Sequence, residues 1–411
     1  MTATVQLQGI AQVIRGVSFD KEEVLDEGRE GYRPVLRAGN IATDLLIDRD
    51  LLWVPESRIA EEQRMRAGDI AICMSSGSQS VVGKTAALRS DWTGSVGAFC
   101  AIIRPLADRV LPDWLSFFLH SEIFRTWTRQ STGANIKNIR KSELEAFPVP
   151  VPHLDEQRRI VDLLSHADGI FRLRRQAQQK TTALTPALFV DMFGDPTTNL
   201  KGWPRLTLGE LIATGPTNGL YKHKSAYGTG TPILRIDAFY DGRITDVASL
   251  KRLIVAPDEQ RRFALAAGDI IVNRVNSPEY LGKSALVPEL LEPTVFESNM
   301  MRFSIDYQIA LPEFVIALLQ DPSSRRHFIA NAKHAINQSS INQQDVKSLQ
   351  VFAPPLHLQR EFAQRVAAVL AIEQQQKAAL AKAEATFNSL LARAFTDAVQ
   401  QVHREMEKAP A

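Results

Sequence analysis

With 411 residues, 45% of them apolar, and ordinary Pro and Gly counts of 21 and 22, the chain has material for two cores and is not globally disordered. A formal charge of +2 does not by itself announce a nucleic-acid partner, so that argument must rest on local clusters. No apolar stretch approaches a membrane span, "MTATVQLQGIAQVIRGVSF" lacks a basic region followed by an apolar run, and Cys73 and Cys100 are expected as reduced core residues of a cytoplasmic protein.

The first predicted elements are short β-like runs, Pro34 to Leu36, Ile70 to Cys73 and Phe99 to Ile103, separated by Gly and polar turns. Between them, "AGDIAICMSSGSQSVVGKTAAL" (67 to 88) looks like a strand running into a phosphate loop that ends in Gly83-Lys84-Thr85. A P-loop requires four residues between its first Gly and the Gly-Lys pair; here Gly77 stands one residue too early and Ser78 holds the Gly position. A helix-like segment from Trp114 to Thr128 follows, then a polar stretch, then "PVPVPH" and a long helix. Along it, Ile160, Leu164, Ala167, Phe171, Leu184 and Leu188 form an apolar seam with a polar middle at Arg174 and Gln178. It is expected to stop at "FGDP", where Gly194 can take a left-handed cap and Pro196 cannot continue, with Pro186 as an earlier kink.

The pattern then begins again. "AGDIIVNRVNSPEYLGKSAL" (267 to 286) repeats the Gly-Asp-Ile strand and the Gly-Lys turn, which a single NTPase domain would not need twice. "YRPVLRAGNI" (32 to 41) answers to "GTPILRIDAF" (230 to 239), and "LPDWLSFFL" (111 to 119) to "LPEFVIALL" (311 to 319). "FPVPVPHLDEQRRI" (147 to 160) answers to "LQVFAPPLHLQREF" (349 to 362), pairing Pro152 with Pro354 and Gln157 with Gln359. A second helix-like segment, Phe314 to Asn331, and a last helix with Phe362, Val366, Val369, Leu380, Ala383, Phe387, Leu390 and Ala394 in register complete the copy; Glu373 and Gln376 give that seam the same polar middle. The expected fold is α+β: two similar β-rich domains at 1–152 and 196–354, spacer helices at 153–195 and 355–405 packed as an antiparallel coiled coil in pseudo-twofold relation, and a tail at 406–411.

Two similar heads with different loops suit a reader of two different half-sites, hence an asymmetric target. Taken in order, the "GDI" and "GK" turns of each domain, "STGANIKNI", "PVPHLDEQRRI", and "MFGDP" followed by "GWPRLTLGEL" resemble the DNA specificity subunits of type I restriction-modification systems, over essentially the whole chain. One departure is Leu358-Gln359 where the first copy has Glu156-Gln157. The resemblance implies two target recognition domains and no chemistry in this chain. It also implies double-stranded DNA and two methyltransferase subunits carrying S-adenosylmethionine as partners, joined by translocating restriction subunits that use ATP and Mg.

Candidate DNA-binding residues fall in three groups per copy. "SSGSQSVVGK" offers Ser75, Ser76, Ser78, Gln79 and Lys84, answered by Arg274, Asn276, Ser277 and Lys283. "RQSTGANIKNIRK" offers Arg129, Thr132, Asn135, Lys137 and Asn138, answered by Lys333, His334, Asn337, Gln338 and Ser339. Asn and Gln can grip adenine bidentately, whereas Lys and Arg favour guanine or phosphate. The third group is Arg37 with Asn40, and Lys222, His223 and Lys224 with Arg235. Solvated hairpins, ordinary connections and salt-bridged faces would use the same residue types, and the basic "RLRRQAQQK" of the first helix suits a solvated face as well as a phosphate contact. An intrinsic methyltransferase would need Asn/Asp-Pro-Pro-aromatic, but Pro354-Pro355 sits in "APPLH"; no nuclease or His/Cys metal pattern is assembled either. The alternative function is a duplicated coiled-coil adaptor that binds proteins only.

Overall fold

The computed structural model describes residues 3–78, 80–130, 137–335 and 338–396. The chain divides into two units, Met1–Arg175 with Ala379–Ala411, and Gln176–Ala378, so that each unit includes a part of both long helices. No helix among the described residues is long and apolar enough to cross a membrane.

In the first unit a four-stranded antiparallel sheet runs in the order Ala11–Arg15, Cys100–Pro105, Ile70–Cys73, Thr85–Ala87. Its centre, Ile70–Cys73, is buried throughout, because the sheet is covered on both faces. Successive side chains alternate between those faces. Ile70 and Ile72 join Trp114, Phe118, Phe124 and Trp127 of the helices Pro112–His120 and Glu122–Gln130. Ala71 and Cys73 face Leu36 and Val96, which belong to a smaller sheet ordered Leu52–Pro55, Tyr32–Leu36, Ser95–Val96. Cys73 and Cys100 are register partners, buried and unbridged.

The second unit repeats this plan. Ile212–Asn218, Met300–Ile305, Ile270–Asn273 and Ser284–Leu286 form the same four strands, extended by Gly242–Ile244 and Phe239–Tyr240. Ile270 and Val272 pack with Phe314, Leu318 and Phe328, while Ile271 faces Leu234 and Phe296. The smaller sheet is Lys251–Leu253, Tyr227–Leu234, Val295–Phe296.

The helix-like segments of the sequence are each two helices. The first breaks at Ser121, which is extended, and the second at Asp321, whose carboxylate caps the Ser323 N–H at 2.8 Å ahead of Pro322–Asn331. A proline at the first helical position starts a helix but cannot lie inside one, which accounts for the second break. The long helix also comes in two pieces, Leu154–Thr182 and Leu184–Phe193. Pro186 lacks an N–H for the carbonyl of Thr182, four residues back, and its ring crowds that group. Leu184, expected on the seam, is exposed at the start of the second piece, whereas Leu188 packs against the core of the second unit. The second piece ends where Gly194 takes φ of 83°.

Ile160, Leu164, Leu391 and Phe395 join the core of the first unit, with Phe387 packed against it; buried Phe171 is stacked on Phe387 at 6.3 Å. In the second, Phe189, Phe193 and Phe362 form a mutually edge-on aromatic group. The last helix, Leu356–Ala394, is unbroken over 39 residues. Glu373 in its middle receives Arg243 as an ion pair.

The paired glutamines have the same task in both copies. Gln157 and Gln359 are fully buried. The Gln157 carbonyl accepts the Leu111 N–H at 2.9 Å and its amide donates to the Pro152 carbonyl at 2.9 Å. Gln359 accepts from Leu311 at 2.8 Å and donates to Pro354 at 2.7 Å. Each glutamine thus staples the start of a long helix to the residue that begins the helix lying on the sheet, leaving its own polar atoms satisfied.

Candidate nucleic-acid interface

The Gly-Lys turn is followed by a strand, Thr85–Ala87 in one copy and Ser284–Leu286 in the other, so the helix N-terminus that a phosphate loop requires does not follow it. Its glycine is instead a packing requirement. Gly83 and Gly282 have φ of 80° and 74°, and a Cβ there would stand 2.6 Å from Thr128 Cβ and 2.2 Å from the Phe328 ring.

Beyond the buried centre strand the chain leaves the main sheet and pairs elsewhere. In the first unit the Phe99 carbonyl accepts the N–H groups of both Met74 and Ser75, at 2.9 and 3.0 Å. Ser75–Ser76 then pairs antiparallel with Lys137–Asn138, placing Ser76 opposite Lys137 and Ser75 opposite Asn138. Buried Ile139 anchors the ribbon, its N–H on the Met74 carbonyl at 2.8 Å. The second unit does the same with different side chains. The Asn299 carbonyl accepts from Arg274 and Val275 at 2.8 and 3.3 Å, and Ile341 donates to the Arg274 carbonyl at 2.9 Å. Val275–Asn276 pairs with Gln338–Ser340, whose other edge takes Lys333–Ala335. In each unit, two candidate groups lying some 60 residues apart in the sequence are therefore hydrogen-bonded into one ribbon.

The side chains on these ribbons differ in how far they are committed to the protein. Ser78 is exposed and bonded to Ser80 at 3.0 Å, and its N–H reaches the Ser76 hydroxyl at 3.2 Å. Lys84 and Asn138 are exposed. Arg129 is exposed and paired with Glu122. Arg274 is half-buried and donates to the Ser298 carbonyl at 3.2 Å. Asn276 accepts the Ser277 N–H at 2.8 Å, and Ser277 donates to Glu279 at 3.3 Å. Lys333 and Gln338 are exposed. His334 bonds through Nδ1 to buried Ser339 at 2.9 Å. Gln79, Thr132, Asn135 and Asn337 lie outside the described residues, as does the side chain of Lys137.

Several candidates are occupied within the fold. Asn40 is buried and accepts the Arg37 N–H at 2.8 Å while donating to the carbonyls of Leu46 and Arg49 at 3.1 and 2.9 Å. It holds a loop through these bonds. Arg37 is exposed, with one bond to the Asp50 carbonyl at 3.1 Å. Lys222 pairs with Glu259 at 2.8 Å, and His223 caps the turn Lys224–Ala226. Arg235 lies 3.5 Å from Glu297 and over the Tyr227 ring. Burial pushes the Glu297 carboxyl above the usual carboxylate range, opposed by the bond from the Ile236 N–H and by the charge of Arg235. Lys283 donates to the Ile236 carbonyl at 2.6 Å among the rings of Tyr240, Phe239 and Tyr280; burial lowers its pKa. In the basic stretch of the first helix, Arg172 pairs with Asp168 and Asp44 and Arg175 lies over Phe171, while Arg174 and Lys180 are exposed.

Phe99, expected at the start of a strand that begins instead at Cys100, and Asn299 carry no sequence signal that marks them as site residues. They come to the ribbons only through the backbone carbonyls described above, which belong to a neighbouring strand turn.

Comparison with known proteins supplies the context of these ribbons. Residues 2–182 match the type I restriction modification DNA specificity domain. The StySPI specificity subunit of Salmonella potsdam, a type I restriction enzyme subunit, is 31% identical over 96% of this chain and 88% of the relative. The EcoKI specificity subunit of Escherichia coli K12 is 30% identical over 94% and 86%. The fold is similar to that of the type I restriction-modification S subunit from M. genitalium, at a TM-score of 0.56 and 15% identity over 96% of both chains. A chain from a study of complex assembly and conformational transition of the type I R-M system gives 0.54 and 17% over 96% of this chain and 97% of that one. The chain belongs to the type I restriction enzyme specificity subunits.

Proposed function

We propose that this chain is the sequence-reading subunit of a type I restriction-modification complex, and that each ribbon, with the polar loops beside it, reads one half of an asymmetric split site in double-stranded DNA. The observation that carries this reading is the meeting of the two candidate groups in both units on an equivalent antiparallel pairing with non-identical side chains. A β-ribbon is a shape the major groove accepts, and different side chains on one frame give different bases read. The target recognition domains are assigned to residues 1–152 and 196–354, and the spacer helices to 153–195 and 355–405.

The chain directs chemistry without performing it. Two methyltransferase subunits bearing S-adenosylmethionine, and ATP-dependent restriction subunits, are the assigned partners, in the cytoplasm where the DNA lies. The test is to exchange residues 200–350 for those of a relative and map methylated adenines. One half of the methylated sequence should change and the other persist. Both halves changing together would refute independent reading, and absence of salt-sensitive DNA binding by the reconstituted complex would favour a protein-only adaptor.

A further inference from the structure

Phe99 is 70% exposed, and it belongs to none of the apolar clusters of the first unit. Yet its position is fixed, because its carbonyl holds the two successive N–H groups that turn the chain into the ribbon, Met74 and Ser75. At the corresponding place in the second unit the carbonyl is that of Asn299 and the first N–H is that of Arg274. One locus at the ribbon base thus carries Met and an exposed Phe in one unit, and Arg and Asn in the other. A phenyl ring brings no conventional hydrogen-bond donor or acceptor to a base edge, so the edge feature it matches best is an apolar one. In the major groove the one such feature on a base edge is the thymine methyl; the minor groove offers none.

On the strength of the DNA-reading assignment above, we infer that Phe99 is a specificity-determining residue that contacts a thymine methyl in the half-site of the first unit. Asn299 and Arg274 read hydrogen-bonding edges at the equivalent position of the other half-site. The ring is attached to the ribbon by backbone alone, so it can change without disturbing the pairing of Ser75 with Asn138.

The experiment uses the full chain with its methyltransferase subunits and duplexes bearing the mapped site, each thymine of the first half replaced in turn by deoxyuridine, which lacks only the methyl. At one position the replacement should weaken binding about three- to fivefold, the value of one buried carbon. Phe99→Ala should abolish that penalty, Phe99→Leu should retain most of it, and Asn299→Ala should leave it intact. The inference is overturned by a Phe99→Ala variant that keeps the full penalty, by a wild type indifferent to every replacement, or by a first half-site without thymine on either strand. It is also overturned if Phe99→Ala lowers the number of bound protein subunits in native mass measurements, which would make the ring a protein contact. Failure of the wild type to prefer its site over a scrambled duplex would instead defeat the DNA-reading assignment itself.

Discussion

The two units can be compared residue by residue, because one backbone carries both. Where a residue sets the frame, the copies agree: Gln157 and Gln359 make the same bonds, and Gly83 and Gly282 the same turn against a helix. Where a residue faces outward, they part. Lys84 is exposed and forms no salt bridge among the described residues, whereas Lys283 is held by a carbonyl and three rings. Even a buried pair differs in closeness, with Arg104 at 2.7 Å from Asp69 but Arg302 at 3.8 Å from Asp269. The lesson is that backbone geometry and buried hydrogen bonds tolerate few substitutes, while the same frame presents any side chain that water or a ligand can meet.

The largest effect should come from challenging the shared turn. Gly282→Ala combines a positive φ with a Cβ 2.2 Å from the Phe328 ring, and should cost about 3 kcal/mol in the stability of the second unit. Gly83→Ala, facing the smaller Thr128 at 2.6 Å, should cost less. Chemical denaturation followed by hydrogen exchange in each unit would measure both, and a reversed order would show that the turns are not equivalent.

The glutamine staples should behave alike. Gln157→Leu and Gln359→Leu each take the partner from a leucine N–H and a proline carbonyl in a largely enclosed place, at a cost of about 2 kcal/mol apiece. Faster exchange of the Leu111 and Leu311 amides, to a similar degree, is the expected signature. Protection lost in only one copy would break the equivalence.

The two lysines should separate cleanly. Lys84→Ala is expected to weaken DNA binding on all sequences alike and to lower the salt slope by about 1, with little change in stability. Lys283→Ala should leave the salt slope alone and destabilise the second unit by about 1–2 kcal/mol, through the lost carbonyl bond and ring contacts. A change of salt slope on Lys283→Ala would place that lysine on the DNA after all.

The smallest effect is on pH. Glu297 has a raised carboxyl pKa because it is buried, so the folded state binds its proton before the unfolded state does, and this contribution to stability grows as pH falls from 7 toward the ordinary value of 4.5. Compared with Glu297→Gln, the wild type should gain stability over that interval and gain no more below it. A flat difference between the two across the interval would mean that the charge of Arg235 cancels the desolvation of the carboxylate.

The duplication, the α+β class and the grouping of polar residues at two loops per copy were legible in the sequence alone. They rest on spacing: Gly-Asp-Ile and Gly-Lys recur some 200 residues on, and period-2 apolar runs mark strands whatever they later pack against. Only the tertiary structure decided which of those polar residues remain available. Asn40 and Arg37 are three residues apart, yet one is buried beneath a loop and the other exposed; Lys283 reads like Lys84 until Tyr240 and Tyr280 fold around it. Phe99 was hidden for the same reason, since its place beside Ser75 is set by a carbonyl on a strand turn 24 residues away in the chain. Local pattern reports what a residue can do with its own neighbours in sequence, whereas a hydrogen bond or a ring contact between distant segments exists only once the chain has brought them together.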